Sequence, residues 1–294
     1  MKDMNAMKNI NAQNAMNAME KANQRIAAFQ ETMDHPRPYQ GQKRLYTGVD
    51  LGTAYTVLAV VDEEGTPVAG AMGFAQVVRD GLVVDYIGAV DILRELKATL
   101  EESLGVELLK AGVAYPPGTS PGDQKALHYI AEAVGFDVIA ALDEPTAANN
   151  VLNIEDGAVI DIGGGTTGTA VIGQGQVVCV ADEPTGGTHV SLVIAGAYRL
   201  PFAEAEKLKM DSRKHQELLP VIKLVIEKIA GIIRGHIQDH PVDRVYLVGG
   251  TSCFTGFETI VAAELQRPVI KPANPFLVTP LGIALAAAKT CSNP

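Results

Sequence analysis

Two stretches of the sequence share one pattern: "YTGVDLGTAYTVLAVVDEEG" at 46–65 and "GAVIDIGGGTTGTAVIGQG" at 157–175. Each is an apolar run, an aspartate, a glycine-rich turn with threonine, and a second apolar run. Short apolar runs bounded by glycine read as buried strands. Each stretch is therefore a strand hairpin with an aspartate, Asp50 or Asp161, near its turn. The alternation of elements beyond each hairpin repeats too. After the first, "TPVAGAMGF" reads as a strand, and 90–105 as an amphipathic helix with Val90, Leu93, Leu96, Leu100 and Leu104 on one face. "KAGVAYPP" (strand), 120–135 (helix), "DVIAALDEP" (strand) and "TAANNVL" (helix) complete the first half. After the second hairpin come helices near 188–198, 201–210 and 216–239, then the strand "RVYLVGG". A helix through "FETIVAAELQ", the short strand "PVIKP" and a last helix at "PLGIALAAAKT" close the series. A hairpin leading into helix–strand alternation, done twice, implies a duplicated α/β fold of two similar lobes.

Residues 1–43 stand outside that plan. "MKDMNAMKNINAQNAMNAME" is a low-complexity run rich in Met, Asn and Ala, and "HPRPYQGQ" breaks any helix and reads as a linker. Between them Ile26, Phe29 and Met33 fall at helical spacing. The segment reads as a flexible tail with a marginal helix, whose stripe suits docking into a partner's groove.

The remainder of the composition narrows the partners. With 24 basic and 34 acidic residues the net charge is −10, which gives no general attraction to nucleic acid or an anionic membrane. No apolar stretch reaches the roughly 20 residues a membrane helix needs, and the N-terminus lacks the compact apolar segment of a secretory signal. Cys179, Cys253 and Cys291 show no paired spacing, an inventory suited to a reducing compartment. A cytosolic protein is expected.

Glycines after an aspartate permit a tight turn and let phosphate oxygens approach the backbone N–H groups closely. Thr53, Thr166 and Thr167 add hydroxyl donors. An aspartate at a strand end suits a hydrated magnesium ion, which takes oxygen ligands and keeps several waters. One such turn alone is ordinarily a plain hairpin; two, with matched Asp and Thr, suit a clamp on a polyphosphate from both sides. Other phosphate motifs are not met: there is no P-loop, and "DIGGGTTG" leads into a strand rather than a helix. His236 and His240, with Asp239 between them, have metal-ligand spacing on a helix but no convincing third partner, and histidine also suits a helix C-terminus.

On these residues the sequence resembles the actin-like ATPase superfamily, with its ribonuclease H-like lobes, which includes sugar kinases, DnaK-type chaperones and bacterial actin homologues. "GVDLGTAYTVLAVV" and "AVIDIGGGTTGTAVI" are similar to its two phosphate loops. "LDEPTAANNVL" resembles the first inter-lobe connection, "VYLVGGTSCFTGFETIVAAEL" the adenosine motif, and "NPFLVTPLGIALAAA" the returning helix. Within the superfamily, "VVRDGLVVDYIGAVDILRELK", "YPPGT", "ADEPTGGTHVSLVIAGAYRL" and "AEKLK" resemble the ethanolamine-utilisation protein J family, compact chaperone-like proteins encoded with bacterial microcompartments.

The resemblance implies two lobes around a nucleotide cleft, 44–152 with 275–294 forming one and 153–274 the other, behind the tail at 1–43. It implies ATP or ADP and magnesium as ligands, with Asp50 and Asp161 holding the ion's water shell. Gly52, Thr53, Ala54, Gly163, Gly164, Gly165, Thr166 and Thr167 would surround the phosphates. Glu144 would orient the attacking water, although Asp143 or Glu144 could equally be a helix N-cap before Pro145. Gly249 and Gly250 would pack against adenosine, and Glu206 and Lys209 would contact ribose and base, unless they are an exposed helix pair. Gly186 and Gly187 either line the cleft or simply turn the chain. Ethanolamine ammonia-lyase or microcompartment shell proteins are the implied partners.

Two departures limit the parallel. DnaK-type chaperones place a catalytic lysine after the first hairpins, where 66–96 holds only Arg79 and Arg94 as basic residues. The chain also stops near 294, which leaves no room for a peptide-binding domain, so general chaperoning of unfolded peptides is not expected. The expectation is a slow, magnesium-dependent ATPase with chaperone-like character. A nucleotide-sensing adaptor without turnover and an actin-like filament former are its rivals, with a sugar kinase behind them.

Overall fold

The computed structural model describes residues 2–79 and 81–292. A long helix, α1 (Lys2–Asp34), precedes an antiparallel meander of β1 (Leu45–Leu51), β2 (Tyr55–Asp62) and β3 (Pro67–Phe74). A two-residue hairpin, β4 (Val78–Arg79) and β5 (Leu82–Val83), leads to α2 (Tyr86–Leu104), β6 (Lys110–Tyr115), α3 (Pro121–Ala133) and β7 (Asp137–Asp143). The first sheet runs β3-β2-β1-β6-β7, its last two pairings parallel. Helix α4 (Glu144–Leu152) crosses to the second set: β8 (Gly157–Ile162), β9 (Thr167–Gly173), β10 (Gln176–Glu183), α5 (Gly187–Tyr198), α6 (Phe202–Met210) and α7 (His215–Ile237). Next come β11 (Val245–Val248), α8 (Phe257–Leu265), β12 (Val269–Ile270) and α9 (Val278–Ser292). The second sheet, β10-β9-β8-β11-β12, has the same order as the first. The duplication read from the hairpins is the architecture.

Local chemistry explains the elements. Strand β8 is buried along its whole length, which is why "GAVIDI" shows no polar–apolar alternation. Helix α2 buries Leu93, Leu96, Leu100 and Leu104; Asp85 caps its start by accepting from Gly88 N–H, and Gly105, at φ 71°, stops it. Helix α7 sinks Ile222, Ile226, Ile229 and Ile233 into the second lobe's core.

Helix α9 returns to the first lobe and lies on β1, β2, β6 and β7, crossing α4 on the way. Two glycines make this approach possible. A Cβ on Gly48 would sit 2.3 Å from the Pro280 carbonyl oxygen, and one on Gly282 would sit 2.0 Å from that of Ala147.

The N-terminal segment departs from the flexible tail expected of it. Ala22, Ile26 and Phe29 are fully buried, with Phe29 and Met33 seated over Gly70 of β3. Asn23 accepts from Ala273 N–H at 2.8 Å, and Asn274 donates to Gln30 at 2.8 Å. The apolar stripe is real, but its groove belongs to this chain. Residues 36–44 form no helix or strand, in keeping with the linker reading. Among the described residues no helix is long and apolar enough to cross a membrane.

Candidate functional site: the cleft between two glycine turns

The two repeated hairpins close in the same way. Gly52 N–H donates to the Tyr55 carbonyl at 3.0 Å, and Gly163 N–H donates to the Thr166 carbonyl at 3.1 Å. The turns face each other so closely that a Cβ on Gly164 would lie 3.0 Å from the Cβ of Thr53. A cleft of about 300 Å³ opens beside them. Gly52, Thr53, Ala54, Gly163, Gly164, Gly165, Thr166, Gly249 and Gly250 all line it, together with Asp50, Glu144 and Asp161. The sequence placed these residues in two separate lobes; the fold brings them around one cleft.

The second turn is braced from behind. Gly187 and Thr188 N–H, at the start of α5, donate to the carbonyls of Gly163 and Gly164 at 3.0 and 2.8 Å, and the Thr251 hydroxyl donates to Gly163 at 2.7 Å. Gly186 and Gly187 are thus absent from the cleft wall and serve as packing. A Cβ on Gly186 would come within 2.7 to 2.9 Å of Gly163 O, Gly164 O and Thr166 N. Thr167 is likewise turned away, fully buried with its hydroxyl on the Thr185 carbonyl at 2.6 Å.

Glu144 opens α4, and the cap belongs to its neighbour: Asp143 accepts from Thr146 N–H at 2.9 Å. That division of labour leaves the Glu144 carboxylate free to enter the cleft. Burial, and then the charges of Asp161, Asp50, Asp182 and Asp143, push Glu144 well above the usual carboxylate range. Burial and Asp161 raise Asp50 to about 7. Asp161 rises to about 6 through burial, opposed by the Thr279 hydroxyl that donates to it. Carboxylates crowded out of water and beside one another want a cation or protons. Hard oxygen donors of this kind fit magnesium. Among the described residues no three His, Cys, Asp or Glu side chains converge to hold a metal directly.

The far end of the cleft is built differently. Lys209 stands 2.8 Å from Glu206, both largely buried, and Ser191 also donates to Glu206. The pair is not the exposed helix couple that its spacing allowed. His215, Cys253, Phe254 and Phe276 complete this end. Burial lowers the Lys209 ammonium from its ordinary value, against the pull of Glu206. His236 lies elsewhere, its Nδ1 2.9 Å from the Thr169 hydroxyl.

Sequence reasoning missed Thr279, Thr251, His215 and Asp182. Thr279 and Thr251 sit inside quoted motifs, Thr251 directly after Gly250 and Thr279 directly before the helix read from Pro280. Asp182 lies beyond the second hairpin on β10, where burial raises it to about 6; the signal that could have found it is the "DEPT" at 182–185, which repeats that at 143–146.

Comparison with known proteins agrees with this geometry. The family model for cell division protein FtsA matches residues 158–288, and that for MreB/Mbl protein matches 68–209. Ethanolamine utilization protein EutJ of Salmonella typhimurium is 42% identical over 248 residues, 84% of this chain and 87% of that protein. The crystal structure of ethanolamine utilization protein EutJ from Carboxydothermus hydrogenoformans is 48% identical, with a TM-score of 0.85 over 91% of this chain and 99% of that one. MreB 5 of Spiroplasma citri bound to AMPPNP shares the fold at 17% identity, with a TM-score of 0.68 over 82% of this chain and 95% of that one. The two facing turns thus sit on an actin-like ATPase fold, and the chain belongs to the ethanolamine utilization protein EutJ family.

Proposed function

We propose that this chain binds Mg-ATP or Mg-ADP in the interlobe cleft and hydrolyses ATP slowly. Closure of the lobes on nucleotide is read by a component of ethanolamine utilization, on which the protein acts in a chaperone-like way. Its partners in this reading are ethanolamine ammonia-lyase or microcompartment shell proteins, and its work is done in the cytoplasm beside such compartments. The observation that supports this reading is the pair of identically closed turns with Asp50, Glu144 and Asp161 gathered around the same cleft. The AMPPNP in the MreB 5 structure adds support for a nucleotide on this fold.

Each residue has a distinct part. The backbone of 52–54 and 163–166 binds phosphate oxygens from opposite lobes. Asp50 and Asp161 would hold a magnesium ion through its waters, and the ion when bound would offset phosphate charge. Glu144 orients the attacking water by accepting its proton in a hydrogen bond. Glu206 and Lys209 meet the nucleoside.

One observation favours the adaptor as second reading. Among the described residues lining the cleft, Lys209 is the only lysine or arginine, and Glu206 already occupies it. No cationic side chain is thereby offered to the transferring phosphate, where such a clamp speeds many related reactions. Phosphate release separates the two readings. The wild type should release phosphate from Mg-ATP, and Glu144→Gln should cut turnover by about 100-fold while leaving ADP affinity within a factor of about two. Nucleotide binding with no release by the wild type would leave the adaptor.

A further inference from the structure

The nucleoside end of the cleft is walled by two segments far apart in sequence: α6, which carries Glu206 and Lys209, and the turn that runs from Gly249 to Thr255. One side chain joins them. His215, buried at the start of α7, places Nε2 2.9 Å from the carbonyl oxygen of Lys209. Its Nδ1 lies 2.9 Å from the backbone N–H of Thr255 and 3.0 Å from that residue's hydroxyl. A carbonyl oxygen only accepts and a backbone N–H only donates. The proton therefore sits on Nε2 and the lone pair on Nδ1, so both ring nitrogens are committed. The ring also lies flat on Phe254, centroids 3.9 Å apart and planes 19° from parallel, and both rings line the cleft.

We infer that His215 is a positioning residue for the nucleoside: by bridging Lys209 and Thr255 in its neutral Nε2–H form, it fixes the two walls between which base and ribose fit. It has no part in holding phosphate. This deepens the nucleotide-binding reading above and rests on it. The charged groups around the ring agree with a neutral imidazole. Lys271, itself 2.7 Å from Glu258 of α8, faces it from beyond β12; Asp211 and the Lys209 ammonium lie on the α6 side. Burial, and secondarily Lys271, hold the imidazole below its ordinary range, while the Lys209 carbonyl and Asp211 oppose them. A second proton on Nδ1 would point at the Thr255 N–H, donor against donor, and break the bridge.

The test separates the two ends of the cleft by calorimetry, with ADP and with inorganic pyrophosphate, each in magnesium. His215→Phe keeps the flat ring and loses both hydrogen bonds. His215→Asn keeps an acceptor for Thr255 and loses the reach to Lys209. We expect His215→Phe to weaken ADP about tenfold, which is about 1.4 kcal/mol, through loss of the hydrogen bonds to Lys209 and Thr255. Pyrophosphate affinity should stay unchanged, and His215→Asn should fall between wild type and His215→Phe. In turnover, the KM for ATP should rise more than kcat falls. A long-range proton–nitrogen NMR spectrum of the wild type should show the His215 proton on Nε2. Unchanged ADP affinity in His215→Phe, equal losses for ADP and pyrophosphate, or a proton on Nδ1 would each overturn the inference. Should the wild type bind neither ligand, the nucleotide reading itself falls, and this inference with it. A wild type that binds both, beside a His215→Phe variant that matches it, removes only the role of His215.

Discussion

Asp50 shows what one of the raised carboxylates contributes to the pH behaviour of the protein. Its folded value of about 7 lies above the roughly 3.9 of an unfolded chain. The fold therefore favours the protonated form. Stability from this group is fully present below about pH 4 and is lost as the pH climbs through 7. Asparagine cannot ionise and escapes that loss. Asp50→Asn should raise the melting temperature of the ligand-free protein, by a margin that widens from pH 5 to 7 and then levels off. Asparagine leaves a polar group in the same crowded place, so only part of the difference is recovered, and a gain of about 1 kcal/mol at pH 8, roughly 2 °C, is expected. With Mg-ADP present the order should reverse, because the same substitution removes a charge the ion wants. Scanning calorimetry with and without ligand checks both halves. The cleft residues on the two hairpins were legible because glycine, aspartate and threonine recur at matched positions. Thr279 was not, because a hydroxyl that tunes Asp161 from another helix leaves no local pattern.

At the scale of elements, the crossing of α4 and α9 turns on a missing side chain. Alanine is favoured over glycine inside a helix by about 1 kcal/mol. At Gly282, however, its Cβ would fall 2.0 Å from the Ala147 carbonyl oxygen, which is backbone and cannot swing aside. Forced separation of packed elements costs about 1–3 kcal/mol, so the steric term wins. Gly282→Ala should lower the denaturation midpoint in urea despite its better helix propensity. Helix α1 supplies the contrasting case. Its stripe of Ile26, Phe29 and Met33 was legible, but whose groove it fills was not, since spacing shows an apolar face and never names the surface that covers it. The groove is formed by β3, α4 and α9, elements spread over more than 200 residues of sequence. Phe29→Ala should weaken docking by about 3 kcal/mol. Trypsin should then cut faster at Lys43 and Arg44, whose linker α1 no longer tethers, with Coomassie-stained fragments as the readout. Boundaries elsewhere were read to within a few residues, apart from α2, which begins at Tyr86 because Asp85 caps it earlier than the apolar periodicity signals.

For the whole molecule, a nucleotide held as proposed between two lobes of the same strand order would be a ligand of the folded state alone. At 100 times its dissociation constant such a ligand adds about 2.7 kcal/mol. Mg-ADP should accordingly raise the melting temperature by several degrees, and a chelator should remove most of that gain; differential scanning fluorimetry decides it. No shift at millimolar ligand would sink the assignment of both turns. The repeat was legible because duplication writes itself twice; the returning helix was legible only as a resemblance. Yet α9 carries a consequence for how the chain is made. Gly48 and Gly112 lie against residues 280–287, so the first sheet lacks its inner covering until α9 has been synthesised. The second lobe's main core, from Ala158 to Leu265, draws on one contiguous span. On a translating ribosome, the half that emerges first must wait, with that face bare, for the half that emerges last.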